Sequence, residues 1–337
     1  MADLKKIVHT VKFDGNGAGK PQVQLVPGGK EHALRNNPFD RPGFVFRGWN
    51  TRADGKGKGL DNRAMVAGDS DVQLFAQWQR EFFGKPYQAK KILTMEPAQK
   101  PELFVSAQGF CMANLHGKAC AACCFIRNTK KYAAGDESDY ASSVVLYEVK
   151  SGKRIAAANN LPIDHANAMI YDPDKARFYI CSLGSATKPG YIFELDGKMK
   201  VTGKILPKGG GHIGALALVK DGYLGLRPVG HGKYVLVNMD RNWKVLSQTD
   251  ILQGYEADYI SQGIAADDRY VYNIAADFED DHWDRHQRMH IYTRDGKLAG
   301  MQTIPVPYEV EDAEFFGGKM YVNTNRQKSC EIYRIML

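Results

Sequence analysis

HANAMIYDPDKARFYICS, residues 165–182, is the stretch whose reading decides the fold. An apolar segment, Asn167–Asp172, leads into the turn Asp172-Pro173-Asp174-Lys175, and a second apolar segment runs from Arg177 to Leu183. The Pro fixes one backbone angle of the turn and the Asp side chains can bond their own backbone, so the pair reads as a hairpin. The same pattern recurs as AQGFCMANLHGKACAACCF around Gln108, HIGALALVKDGYLGL from His212, QGIAADDRYVYNIAAD from Gln262 and EVEDAEFFGGKMYVNTN from Glu309. Five starts about 47 to 57 residues apart, each with hairpin chemistry inside, are the sequence signature of an all-β ring, a five-bladed β-propeller.

Each later copy supplies four strands. In the second these are Asn167–Asp172, Arg177–Leu183, Gly190–Leu195 and Val201–Ile205. The last copy lacks its outer strand, and Tyr87–Met95 (YQAKKILTM) matches the outer strand VTGKILP of residues 201–207. The segment at 87–95 is therefore expected to complete the fifth blade and close the ring, because an open edge leaves backbone groups unpaired. Two insertions interrupt the pattern, Asn128–Tyr140 in the first blade and Asp277–Arg288 in the fourth.

Ahead of the ring, residues 1–79 form a separate module, with 80–86 as linker and 87–337 as the propeller. The alternations VKF (11–13), FVF (44–46) and VQLFAQW (72–78) predict strands with one buried face, and Asn16-Gly17, Pro27-Gly28-Gly29 and Asp54-Gly55 predict tight turns. Trp49 and Trp78 read either as core or as an aromatic binding face; in so small a domain the core needs its large side chains. The combination RPGFVFRGW (41–49) with LFAQW (74–78) resembles the internalin B-repeat family, also called the Listeria–Bacteroides repeat. That resemblance implies a small β-grasp-like module of bacterial surface proteins, acting as spacer or adhesive piece. The ring's motifs, HANAMIYD (165–172), QGI with DDRYVY (267–272) and EVEDA with GKMYV (318–322), resemble the five-bladed propellers of phage tail and receptor-binding proteins and the glutaminyl-cyclase-like propellers.

The 337 residues carry a net charge of +7, concentrated in residues 1–90 with 15 Lys+Arg against 9 Asp+Glu; the remainder has 30 against 29. This excess falls short of the dense basic stripe of a nucleic-acid binder, so none is expected. No run of about 18 apolar residues is present, so membrane insertion is not expected either. MADLKKIVHTVKFDGNG (1–17) lacks an apolar h-region, which predicts synthesis in the cytoplasm without a signal peptide. The six cysteines, Cys111, Cys120, Cys123, Cys124, Cys181 and Cys330, are expected as reduced thiols, with Cys120-Ala-Ala-Cys123-Cys124 a packed strand rather than half a zinc site.

Aligning the repeats places Gln108, His165, Asn167, His212, Gln262, Glu309 and Glu311 at one mouth of a central channel, as candidate ligand-binding residues. Two imidazoles, two carboxylates and three amides suit a polyhydroxyl ligand or a cation, and the same groups equally satisfy one another and water. Asp277–Asp284 offers oxygen ligands for calcium without the Gly-punctuated order of a known loop, and reads as a solvated acidic loop. His282, His286 and His290 are spaced by four, but His290 falls in a strand; Trp283 is a candidate exposed contact ring. No GxSxG, HExxH, P-loop or dinucleotide motif is present, and no cofactor, metal or catalytic residue is assigned. The expected function is a non-enzymatic attachment or virion-structural protein, part of a larger assembly, whose partners are other particle proteins or a host surface polymer and whose final location is a virion or extracellular particle. The alternative is an enzyme, a cyclotransferase, lyase or hydrolase, with Glu309 or Glu311 and His165 or His212 as acid and base; a third reading is an intracellular scaffold.

Overall fold

The computed structural model describes residues 8–84, 88–100, 103–127, 141–163, 165–182, 190–209, 211–254, 259–277, 287–326 and 329–336. Tyr87, the insertion Asn128–Tyr140 and most of the acidic loop, including Trp283, His282 and His286, lie outside the described residues. The described residues form strands and no α-helix, and the chain divides into two compact units, Met1–Pro86 and Tyr87–Leu337.

The first unit contains β1 (Val8–Asp14), β2 (Gln22–Pro27), β3 (Glu31–Ala33), β4 (Phe44–Asn50), β5 (Gly59–Leu60), β6 (Met65–Ala67) and β7 (Val72–Arg80). Five of them make a mixed sheet in the order β2-β1-β7-β4-β5, with β1 and β7 parallel, while β3 and β6 pair separately. The alternation of β1 turns Val11 and Phe13 inward, and β7 adds Leu74 and Ala76. Trp49 is buried at the centre, 4.7 Å from Phe13 and 5.0 Å from Phe46 between ring centroids, so it is core. Trp78 is half-buried against Phe46 and donates Nε1–H to Gly15 O at 2.8 Å.

The second unit opens with β8 (Gln88–Met95), followed by five groups of strands. The first sheet holds β9 (Phe104–Leu115), β10 (Lys118–Arg127), β11 (Ser142–Glu148) and β12 (Lys153–Leu161). The second holds β13 (Ala168–Asp172), β14 (Arg177–Cys181), β15 (Ile192–Leu195) and β16 (Val201–Ile205). The third holds β17 (Ala215–Val219), β18 (Gly222–Gly230), β19 (Lys233–Met239) and β20 (Val245–Gln248). The fourth holds β21 (Tyr259–Ala266), β22 (Tyr270–Asp277), β23 (Arg288–Thr293) and β24 (Leu298–Thr303). The fifth holds β25 (Glu309–Phe316), β26 (Lys319–Arg326) and β27 (Ser329–Met336), and β8 is its fourth strand.

All five are antiparallel and consistent with propeller blades. Their first strands touch in cyclic succession, β9–β13–β17–β21–β25 and back to β9. The strand β8 pairs along the whole of β27, from Cys330↔Met95 to Met336↔Gln88. Glu331, on β27 and almost fully buried, reaches across this seam to Lys91 of β8, accepting from its Nζ at 3.1 Å, and also accepts from Arg326 Nη1 of β26 at 2.7 Å and from Tyr333 OH of its own strand at 2.5 Å. Apolar clusters fill the spaces between adjacent sheets, with Cys124 packing toward the second sheet and its neighbour Cys123 toward the fifth. All six thiols are free and buried.

Candidate functional site

The residues that open the first strands are brought to one end of the ring, and the acidic strand β25 organises them. Glu309, half-buried, accepts from Gln262 Nε2 at 3.0 Å and Asn325 Nδ2 at 3.4 Å. Glu311, buried, accepts from Gln108 Nε2 at 3.0 Å, and Gln108 also reaches Ser106 Oγ at 3.3 Å. Burial raises the pKa of both carboxyls, and for Glu311 the neighbouring Glu309 charge raises it further. Four of the seven predicted residues, Gln108, Gln262, Glu309 and Glu311, thus make two amide–carboxyl pairs on β25, Gln262 with Glu309 and Gln108 with Glu311.

The other three are placed on neighbouring sheets. His165 Nδ1 and Asn167 Oδ1 lie 2.6 Å apart, ahead of β13. The residue between them, Ala166, adopts φ 57° and its carbonyl accepts the Gly109 N–H at 2.9 Å, tying this turn to β9. His212 Nε2 lies 3.0 Å from Ser182 O, at the seam between the second and third sheets.

The next residue of β25 reaches across to other sheets. Asp312, fully buried, accepts Phe110 N–H at 3.1 Å from the first sheet, Met169 N–H at 3.0 Å from the second and its neighbour Ala313 N–H at 2.9 Å. A Cβ added to Gly263 of the fourth sheet would stand 2.2 Å from Asp312 Oδ1, so that strand touches the carboxyl as well. One carboxyl thus meets four sheets. Burial raises its pKa despite the three N–H donors. Glu314 has its Oε2 buried and without a hydrogen-bond partner among the described residues, and its pKa is raised by burial and by Asp312. The sequence reading passed over Asp312 and Glu314, yet four carboxyls within Glu309–Glu314 of an otherwise apolar strand were a visible signal, since buried carboxyls are rare unless they are partnered.

Among the described residues no group of three or more His, Cys, Asp or Glu is placed to hold a metal ion. His290, on β23, is buried beside Tyr292.

Comparison with known proteins adds the following. Residues 9–77 match the family model of the Listeria-Bacteroides repeat domain. No curated protein matches the chain. Hydrazine synthase of Kuenenia stuttgartiensis aligns over 68% of this chain and 57% of its own, at 12% identity and a TM-score of 0.35. The tail fiber of Staphylococcus aureus phage P68 aligns over 74% of this chain at 10% identity and a TM-score of 0.50, and the match spans 52% of the tail-fiber chain, about half its length. Residues 9–77 are therefore similar to the Listeria-Bacteroides repeat domain, and the all-β region shares the fold of part of a phage tail fiber.

Proposed function

We propose that this chain is an attachment component of a phage tail or tail-like particle. Its ring acts as a five-bladed propeller closed by β8 and serves as a rigid recognition platform; its β-grasp-like N-terminal module docks it to other particle proteins or spaces it from them. The ligand is a polyhydroxyl polymer of a host surface, met by Gln108, His165, Asn167, His212, Gln262, Glu309 and Glu311. The observation that carries this reading is the group around Glu309: half-exposed amide and carboxyl groups of Gln262, Glu309 and Asn325, supported from beneath by buried Glu311 and Gln108, offer donors and acceptors on rigid strands. The tail-fiber fold and the surface-protein repeat both support it. A glycan array and a pull-down with host envelope polymers test it. Binding that weakens in Gln262→Ala is expected; failure of the parent protein to retain any surface polymer or particle partner would overturn it.

The second reading, an enzyme, is favoured by one feature, the two carboxyls of Glu309 and Glu311, whose pKa values burial raises, next to half-exposed groups. Glu309 or Glu311 would then act with His165 or His212 as acid and base. Any activity found on a surface polymer that survives Glu311→Gln combined with His212→Ala removes this reading.

A further inference from the structure

A further feature lies at the other end of the ring. The hairpins joining β17 to β18 and β21 to β22 sit at the far ends of those strands from His212 and Gln262. Between them, at the junction of the third and fourth sheets, is a cleft of about 600 Å³. Its apolar floor includes Leu218, Met239 and Ala266, and its charged rim includes Lys220, Asp268 and Arg294.

The charged side chains lining the cleft are Lys220, Arg241 and Arg294 with Asp221, Asp267 and Asp268, and they differ in how far the protein's own hydrogen bonds engage them. Asp267 is committed: Oδ1 accepts Arg269 N–H and Tyr270 N–H, both at 2.7 Å, and Oδ2 accepts Tyr272 OH at 2.8 Å. Arg241 is committed to Asp172 at 2.9 Å, Asp174 at 3.4 Å and Lys220 O at 3.1 Å. Arg294 is half-buried and makes no hydrogen bond or ion pair with the described residues. Burial pulls its pKa down, and Asp267 and Asp268 offset that only in part. A guanidinium has five donors in a planar fork suited to an oxyanion. Lys220 stands exposed on the rim as a second cation, and Asp268 is an exposed opposing charge.

We propose that this cleft binds an oxyanion, the carboxylate or phosphate of an acidic polymer unit, with Arg294 as the principal cation, Lys220 as the second and the apolar floor taking the carbon body. The polymeric carrier follows from the recognition reading above; the anion site stands on the cleft alone and does not depend on the carboxyl group at the opposite end.

The test is titration of the full chain, by calorimetry at low and moderate salt, with three oligomers of equal length: a uronate-containing saccharide, a glycerol-phosphate chain and a neutral glucose chain. One or both acidic oligomers should bind and weaken with salt. Affinity should fall at least tenfold in Arg294→Gln and severalfold in Lys220→Gln, and should rise in Asp268→Asn. Binding of the uronate alone assigns a carboxylate, and of glycerol phosphate alone a phosphate diester. Should Arg294→Gln fail to fold by circular dichroism, Lys220→Gln, an exposed substitution, decides. The proposal is overturned if neither acidic oligomer binds at millimolar concentration, if the neutral chain binds equally well, or if the folded variants bind as the parent does.

Discussion

Replacing Glu331 with Gln should loosen the seam between β8 and β27. The carboxylate is almost fully buried and receives three donors, two of them cationic. Its side chain is 2% exposed, whereas those of Lys91 and Arg326 are 49% and 47% exposed. Glutamine keeps an oxygen for Tyr333 but loses both charge-assisted bonds. Water can replace the partner of each half-exposed cation, so each loss costs about 1–1.5 kcal/mol rather than the full value of a buried ionic bond, and the total is about 2–3 kcal/mol. Because one factor of ten corresponds to about 1.36 kcal/mol, backbone amides of 88–95 and 329–336 should exchange with solvent about 30- to 150-fold faster. Hydrogen exchange read by mass spectrometry of those peptides at pH 7 is the assay. The sign of the pH dependence follows from the site: burial raises the Glu331 pKa, but the donors from Tyr333, Lys91 and Arg326 outweigh it and hold the group below its ordinary value. Its stabilisation is therefore present above about pH 4.3, the unfolded value, and is lost as pH falls through the lower folded value. The difference between parent and variant should shrink on acidification. Less than a threefold change in exchange at pH 7, or a change spread evenly over all five sheets, would refute the claim that this carboxylate fastens the closing strand.

Three further outcomes are expected. Asp312→Ala leaves the buried Phe110 and Met169 N–H groups without an acceptor and should cost about 3–5 kcal/mol in urea unfolding; Gly263→Ala, whose methyl would collide with the same carboxyl, should cost at least about 2 kcal/mol. Glu311→Gln should flatten the decline of thermal stability with rising pH: the parent's pKa is raised, so its contribution is complete below about pH 4.3 and is lost as pH rises through the folded value. Arg241→Ala strands the buried Asp172 carboxylate with Tyr223 OH as a remaining side-chain donor at 2.5 Å, and should lower stability by about 3 kcal/mol, more than Tyr223→Phe, in the same unfolding assay.

The strands were legible because each repeat joins period-two apolar alternation to turn chemistry; the predicted Val201–Ile205 strand is β16 as observed. Pairing of β8 with β27 was legible from the missing outer strand of the last repeat and its match at residues 87–95. The interior was not, and β25 shows why. The register slips between Val310 and Asp312, so an extra residue, Glu311, enters the strand and the pleat changes phase. Strict alternation puts Glu309, Glu311 and Ala313 on one face and misses that Asp312 reaches across to other sheets. The seam at Glu331 and the cleft at Arg294 were equally hidden, since both depend on which sheets become neighbours and not on local pattern.

The position of β8 has a consequence for biosynthesis. At about 5–20 residues per second, the 240 residues that separate Lys91 from Glu331 take roughly 12–48 s to emerge from a ribosome. Throughout that interval the earliest strand of the second unit waits beside a growing chain with no mate, while Ile92, Leu93 and Met95 are open to any stray ribbon. Lys90 and Lys91 sit on the strand as electrostatic guards during the wait, and Lys91 is then the very side chain that locks onto Glu331 when the last strand arrives.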